Sequence, residues 1–132
     1  MIEIDLDKSE LRDLNATLHN VDGKTGEKSF SVINPNGKHN IAVGVDGELD
    51  ITIKGHAGHY VGGMNKYANI TVTGNAGAGL AENIMSGVVR VKGNASQYTG
   101  ATGRGGLVVV EGDAAARCGI SMKGVDIVVG GN

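Results

Sequence analysis

The sequence predicts an all-β protein: a right-handed, single-stranded parallel β-helix with coils of 19 residues and a short N-terminal capping helix. Three observations predict it. Segments that open with glycine recur at Gly55 (GHAGHYVG), Gly74 (GNAGAGLA), Gly93 (GNASQYTG) and Gly112 (GDAAARCG), a fifth begins at Gly131, and every interval is 19 residues. A fixed period without insertions marks a solenoid whose units bury apolar surface only against their neighbours. Before each opening glycine lies a short β-branched run: Ile51-Thr52-Ile53, Ile70-Thr71-Val72, Val89-Arg90-Val91, Val108-Val109-Val110 and Ile127-Val128-Val129. Finally, glycine fills 23 of 132 positions while the chain holds one phenylalanine and no tryptophan, so a core built on large aromatics is excluded and a narrow one is implied.

At the N-terminus, Asp7-Lys-Ser-Glu10 has the spacing of a capping box, and Leu11, Leu14 and Leu18 then share one helical face up to about His19. This helix is expected to cover the N-terminal end of the tube, hiding backbone and apolar groups that an open coil would expose. Phe30 to Ile33 reads as a strand closed by Pro35 and Gly37. Gly37-Lys-His-Asn-Ile-Ala-Val-Gly44 matches Gly55 to Gly62 at its glycines and at Val43 against Val61, starting 18 residues earlier, so it is expected to be a divergent first coil, shorter by one. The chain divides into an N-terminal cap, residues 1–35, and β-helix coils, residues 36–132, with the last coil expected to be open.

Within each coil, period 2 places Ile51, Ile70, Val89, Val108 and Ile127 in one inward column and Ile53, Val72, Val91, Val110 and Val129 in another. Helices are excluded as the repeating unit because glycines interrupt every window of helical spacing. Ala57, Ala76, Ala95 and Ala114 mark a sharp bend over a narrow interior, and Val61, Leu80, Thr99 and Cys118 form a further ladder. Gly62, Ala81, Gly100 and Gly119 follow as corners, where a left-handed backbone is needed, while Asn75, Asn94 and Asp113 occupy another turn.

Candidate chemistry is sparse. His56 and His59 have HxxH spacing, but a zinc site needs a third ligand, and His56 fills the slot of Asn75, Asn94 and Asp113, which reads as a polar corner. His39 and His19 add no pattern. Cys118 belongs to an inward column and reads as an inert buried thiol. Arg104 lies in a glycine-rich loop that lacks the P-loop pattern, so it reads as an exposed charge able to meet an anion or a partner carboxylate. Tyr60 and Tyr98 are equivalent, with Gly79 between them, and no groove of aromatics and paired carboxylates suited to saccharide cleavage emerges. Outward positions run Thr52, Thr71, Arg90, Val109, Val128, with Val88 and Leu107 beside them. Contiguous outward aliphatics mark a contact surface, so another chain is expected to cover this face. The net charge of -2 gives no attraction to nucleic acid or anionic membrane. One cysteine, no signal peptide and no 18-residue apolar run point to a cytoplasmic chain.

These corners and strands resemble the GXGXG β-helix domain at the C-terminal end of the glutamate synthase large chain, and the related β-helix subunit of formylmethanofuran dehydrogenase. The likeness is strongest to the stand-alone subunit of glutamate synthase and N-methylglutamate synthase type, in Leu80-Ala-Glu-Asn-Ile-Met-Ser-Gly87, in Gly93 to Gly106, and in Ala115-Ala-Arg-Cys-Gly-Ile-Ser-Met-Lys-Gly124. The resemblance implies a structural role without catalytic, cofactor-binding or metal-binding residues of its own. The expected partners are an FMN and iron-sulfur synthase subunit and a glutaminase-like subunit, with FMN and the cluster held by those partners. Family members continue for several more coils, so the resemblance leaves open a truncation, a natural short form or one part of a split protein, with an open C-terminal coil through which two copies could pair end to end. Two other readings stay open: the structural subunit of formylmethanofuran dehydrogenase, and an independent metal-dependent enzyme using the His56/His59 corner.

Overall fold

The computed structural model describes residues 2–19, 29–114 and 124–131. Its elements are β1 (Ile2–Asp5), α1 (Leu11–His19), β2 (Ser29–Ile33), β3 (Asp50–Lys54), β4 (Asn69–Val72), β5 (Val88–Val91), β6 (Leu107–Val110) and β7 (Asp126–Val129). The seven strands form one parallel sheet in chain order, each pairing with the next. The result is a β-solenoid of about five turns, as the 19-residue repeat predicts.

From β3 onward the register follows the period: Ile51 pairs with Ile70, Ile70 with Val89, Val89 with Val108 and Val108 with Ile127. Val72, Val91 and Val110 are fully buried in the second inward column, and Ile127 and Val129 are partly buried against the same core. Phe30 and Val32 extend the two columns backward, opposite Ile51 and Ile53. The one phenylalanine therefore sits at the N-terminal end of a tube whose later coils hold only smaller side chains there. The Val61, Leu80 and Thr99 ladder is fully buried. Cys118 and Gly119, with most of Ala115 to Gly124, lie outside the described residues.

The opening glycines are required by the approach of neighbouring coils. A Cβ on Gly74 would stand 2.7 Å from the carbonyl oxygen of Gly55, one on Gly93 2.7 Å from that of Gly74, and one on Gly112 2.7 Å from that of Gly93. The left-handed backbone is needed elsewhere, in a triplet at alternate positions of each turn. Tyr60, Gly62 and Met64 have φ of 64°, 68° and 55°, and Gly79, Ala81 and Asn83 repeat the pattern at 76°, 55° and 58°. Tyr98, Gly100 and Thr102 repeat it again. Most of these residues are not glycine, so their strain is held by pairing between coils, such as Tyr60 N–H to Ala78 O at 2.9 Å and Met64 N–H to Glu82 O at 2.8 Å.

Two sequence expectations need correction, and one element goes unforeseen. The first coil is longer than its successor, not shorter: Gly62 N–H donates to Ile41 O, Gly44 N–H donates to Gly63 O, and Asp46 pairs with Lys66, an offset of 20, while Ser29 pairs with Asp50. Ile41, fully buried, therefore takes the place of Val61, and Val43 is only half-buried. Matching glycine to glycine misleads the alignment because Asn40 and Ala42 take the left-handed corner positions themselves, at φ 61° and 56°. The capping box does not form. Helix α1 begins at Leu11, Asp13 and Leu14 donate to the Glu10 carbonyl, and the Asp7 carboxylate accepts instead from Asn36 Nδ2 at 2.9 Å. Lastly, Ile2–Asp5 is a strand that adds to the sheet beside β2.

The helix does close the N-terminal side. Leu14 and Leu18 are buried in the core, and Asn15 uses both ends of its amide, donating to Asn40 O at 2.9 Å and accepting from Ala42 N–H at 2.9 Å. In the next coils the equivalent amide bonds backward, as Ala81 N–H does to Val61 O. Asn15 thus replaces a preceding coil.

Substituting Gly93 by alanine forces a methyl group against the Gly74 carbonyl, and overpacking of this kind costs about 1–3 kcal/mol. Urea unfolding should show that loss, whereas Gln97→Ala, at an exposed position, should stay within about 0.5 kcal/mol. A second test concerns Asp5, whose carboxylate accepts from Asn34 Nδ2 and from Asp7 N–H, which holds its pKa below the ordinary 3.8. A lowered folded value means its contribution is present above the unfolded pKa and lost as pH falls through the folded one. Asp5→Asn should therefore flatten the fall of stability below about pH 4 in acid titrations monitored by circular dichroism.

Candidate functional site

The turn carrying the left-handed triplets also carries two of the three tyrosines, both exposed. Tyr60, Gly79 and Tyr98 stack at 19-residue spacing, with Tyr60 46% and Tyr98 37% exposed. An ideal Cβ on Gly79 would lie 2.5 Å from Tyr60 Cδ1 and 3.3 Å from Glu82 Oε2. The Tyr60 ring therefore leans one coil along the axis, over the space that the missing side chain leaves, and the Glu82 carboxylate closes the same space. His59, Tyr60, Ala78, Gly79, Glu82, Tyr98 and Ala101 line a cleft of about 360 Å³ there. A smaller groove past Met64 and Val43 adjoins it through Tyr60 and Glu82, and another lies beyond, between Met64 and Met85.

The histidines are arranged differently from the HxxH reading. His59 pairs with His39, ring centroids 4.5 Å apart, and its backbone N–H donates to His39 Nδ1 at 2.8 Å. Its other neighbour is Tyr60, edge-on at 6.1 Å. His56 turns to the next coil, where its Nδ1 accepts from Asn75 N–H at 2.9 Å. Asn75 Oδ1 then accepts from Asn94 N–H and Asn94 Oδ1 from Asp113 N–H, each at 2.8 Å. His56 is thus the first rung of a side-chain ladder, as its alignment with Asn75, Asn94 and Asp113 predicts. Among the described residues no group of three histidine, cysteine, aspartate or glutamate side chains is placed to hold a metal ion. The pairing of His39 with His59 escapes a reading of the sequence because the two are 20 residues apart, and a search at period 19 steps over it.

The other candidate surface is the outer face of the sheet. Asp50, Asn69, Val88, Leu107 and Asp126 form one outward column, and Thr52, Thr71, Arg90, Val109 and Val128 form the next. The polar half is internally tied, with Asn69 Nδ2 donating to Asp50 Oδ1 at 3.2 Å. The aliphatic half is open: Val128 is 55% exposed, and Val88, Leu107 and Val109 are half-buried. Arg104 is exposed on a different side, its backbone N–H bonded to Ile84 O.

Asn65 is a site-like feature that no periodicity reveals. It is fully buried between Val45 and Ile84 in an otherwise aliphatic column, and its Nδ2 donates to Ala68 O at 2.9 Å and Ser86 O at 3.1 Å. It ties two successive coils from within, a structural task rather than a chemical one.

Among curated proteins, the chain is 54% identical over 62 residues to Protein GlxC of Rhizobium meliloti (strain 1021). The match takes in 47% of this chain and only 27% of that protein, so the likeness spans about a quarter of the relative's length. No family model matches the chain, and no solved structure matches it. No helix among the described residues is long and apolar enough to cross a membrane.

If His56 acts as a ladder rung, His56→Asn should keep the stability of the wild-type chain, because asparagine supplies the same acceptor as its column mates. His56→Ala should lose about 0.5–1.5 kcal/mol, the net worth of one hydrogen bond, in denaturant unfolding.

Proposed function

We propose that this chain is a non-catalytic scaffold or assembly unit of a glutamate synthase-like glutamine amidotransferase complex. The observation that carries the reading is the outer face of the sheet, where threonine and arginine give way to Val88, Leu107, Val109 and Val128. Aliphatic side chains aligned at coil spacing on a flat face, rimmed by Arg90 and Asp126, have the composition of a protein contact: an apolar centre with a charged border. A solenoid held by coil-to-coil hydrogen bonds is a rigid surface on which to fix such a contact.

The kind of complex in this reading comes from the resemblance to the GXGXG domain. Its members hold a flavin and iron-sulfur synthase unit against a glutaminase unit, and the partners of this chain would be polypeptides of those two kinds. In such a complex the scaffold contributes by position. Holding two reaction centres and a shielded path between them in fixed geometry raises the local concentration of a released intermediate at its acceptor.

Co-expression with synthase-like and glutaminase-like polypeptides, followed by affinity capture, tests the proposal. The wild-type chain should retain both, while Val109→Glu combined with Val128→Glu should abolish capture and leave the thermal unfolding midpoint of the isolated chain within a few degrees. Capture that survives both charges would overturn the assignment of this face, and failure to retain either polypeptide would overturn the complex.

A further inference from the structure

We propose that the cleft between Tyr60 and Tyr98 is a receptor for an arginine side chain presented by a partner polypeptide. The argument begins with Glu82. Its carboxylate is half-buried at the wall of the cleft, yet among the described residues it accepts no hydrogen bond and forms no ion pair. That charge faces the cleft with no cation beside it among the described residues, and a charge in a shaped cleft selects a guest of opposite sign. Among the described residues the lining contains no lysine or arginine.

The remaining walls narrow the chemistry of the guest. Tyr60 and Tyr98 stand two coils apart, about 9–10 Å along the axis, with the Tyr60 ring leaning toward Tyr98 over Gly79. The space between is a slot bounded by aromatic rings and floored by the Gly79 backbone, which suits a flat group. Guanidinium is planar, stacks on tyrosine, and offers a fork of N–H donors to a single carboxylate, whereas an ammonium offers a compact charge with no face to stack. The cleft volume of about 360 Å³ exceeds what one side chain fills, leaving room for the flanking backbone of the segment that carries it. Met64 and Met85, 46% and 42% exposed along the adjoining grooves, provide adaptable apolar contacts for that segment.

The site differs from the sheet face that carries the scaffold reading. The inference rests on that reading for the existence of a partner, but its test does not require the partner. The full chain, labelled with nitrogen-15, is titrated with N-acetylarginine methylamide up to about 100 mM, following the backbone signals of Tyr60, Gly79 and Tyr98. Tyrosine fluorescence gives a second readout, since the chain has three tyrosines and no tryptophan.

Saturable shifts confined to the cleft are expected, with a dissociation constant in the millimolar range. The neutral citrulline analogue should bind at least roughly fivefold more weakly, as should the lysine analogue, and Glu82→Gln should weaken arginine binding to the same degree. Tyr60→Leu should do likewise, and Asp126→Asn, on the distant sheet face, should change nothing. Absence of saturation, equal binding of citrulline or of the lysine analogue, or an equal effect of Asp126→Asn would overturn the proposal. Arginine binding that persists while complex capture fails counts against the complex alone, and the reverse counts against the cleft alone.

Discussion

The whole molecule depends on the closeness with which one coil lies on the next. Parallel strands at a separation of about 4.8 Å bring the backbone of Gly74 so near Gly55, and Gly93 so near Gly74, that no side chain fits at those points. Once that distance is imposed, every other position is obliged to repeat. Aliphatic residues stack on aliphatic residues inside, amides bond to amides at the corner, and left-handed turns recur at the same three places. The chain consequently has little freedom in how it fills its interior, and the core contains valine, isoleucine, leucine and alanine almost throughout.

This constraint explains why so much is legible in the sequence. Strands β3 to β7 can be placed because Ile51, Ile70, Val89, Val108 and Ile127 are both periodic and β-branched, two signals with one cause. The same logic fails where the coil length changes. Between Phe30 and Leu49 the offset to the next coil is 20 or 21 in place of 19, and the glycines there align by identity with the wrong partners, since Asn40 and Ala42 carry the left-handed turn. Strand β1 goes unseen because four residues of alternating isoleucine and acid carry little signal outside the repeat; its position is set by pairing with β2 across a long stretch of chain. In the candidate cleft, Tyr60, Gly79 and Tyr98 are visible as a column, but Glu82 and His39 are not, because their place depends on side-chain direction and on the longer first coil.

Two surfaces with different chemistry lie on one rigid body. The sheet face is broad and aliphatic at one end, suited to burying area without orienting the partner strongly. The turn face is narrow, aromatic and acidic, suited to fixing orientation through one charged contact. A scaffold needs both properties if it is to hold two centres in a defined relation, since apolar burial contributes most of the affinity and a charge in a shaped cleft contributes selectivity.

The ladder His56, Asn75, Asn94 and Asp113 has a bearing on how the chain reaches this state. Repetitive strands with nearly interchangeable aliphatic faces invite mispairing during folding, when one coil docks on its neighbour a step out of phase. His56, Asn75 and Asn94 each accept a hydrogen bond from the backbone of the residue one full period ahead. A displaced coil would leave the acceptors facing the wrong backbone groups, and the error would be felt at every rung it touched. A row of small polar side chains on the outside thus acts as a vernier for the assembly of a tube whose inside, being uniform, could not set its own phase.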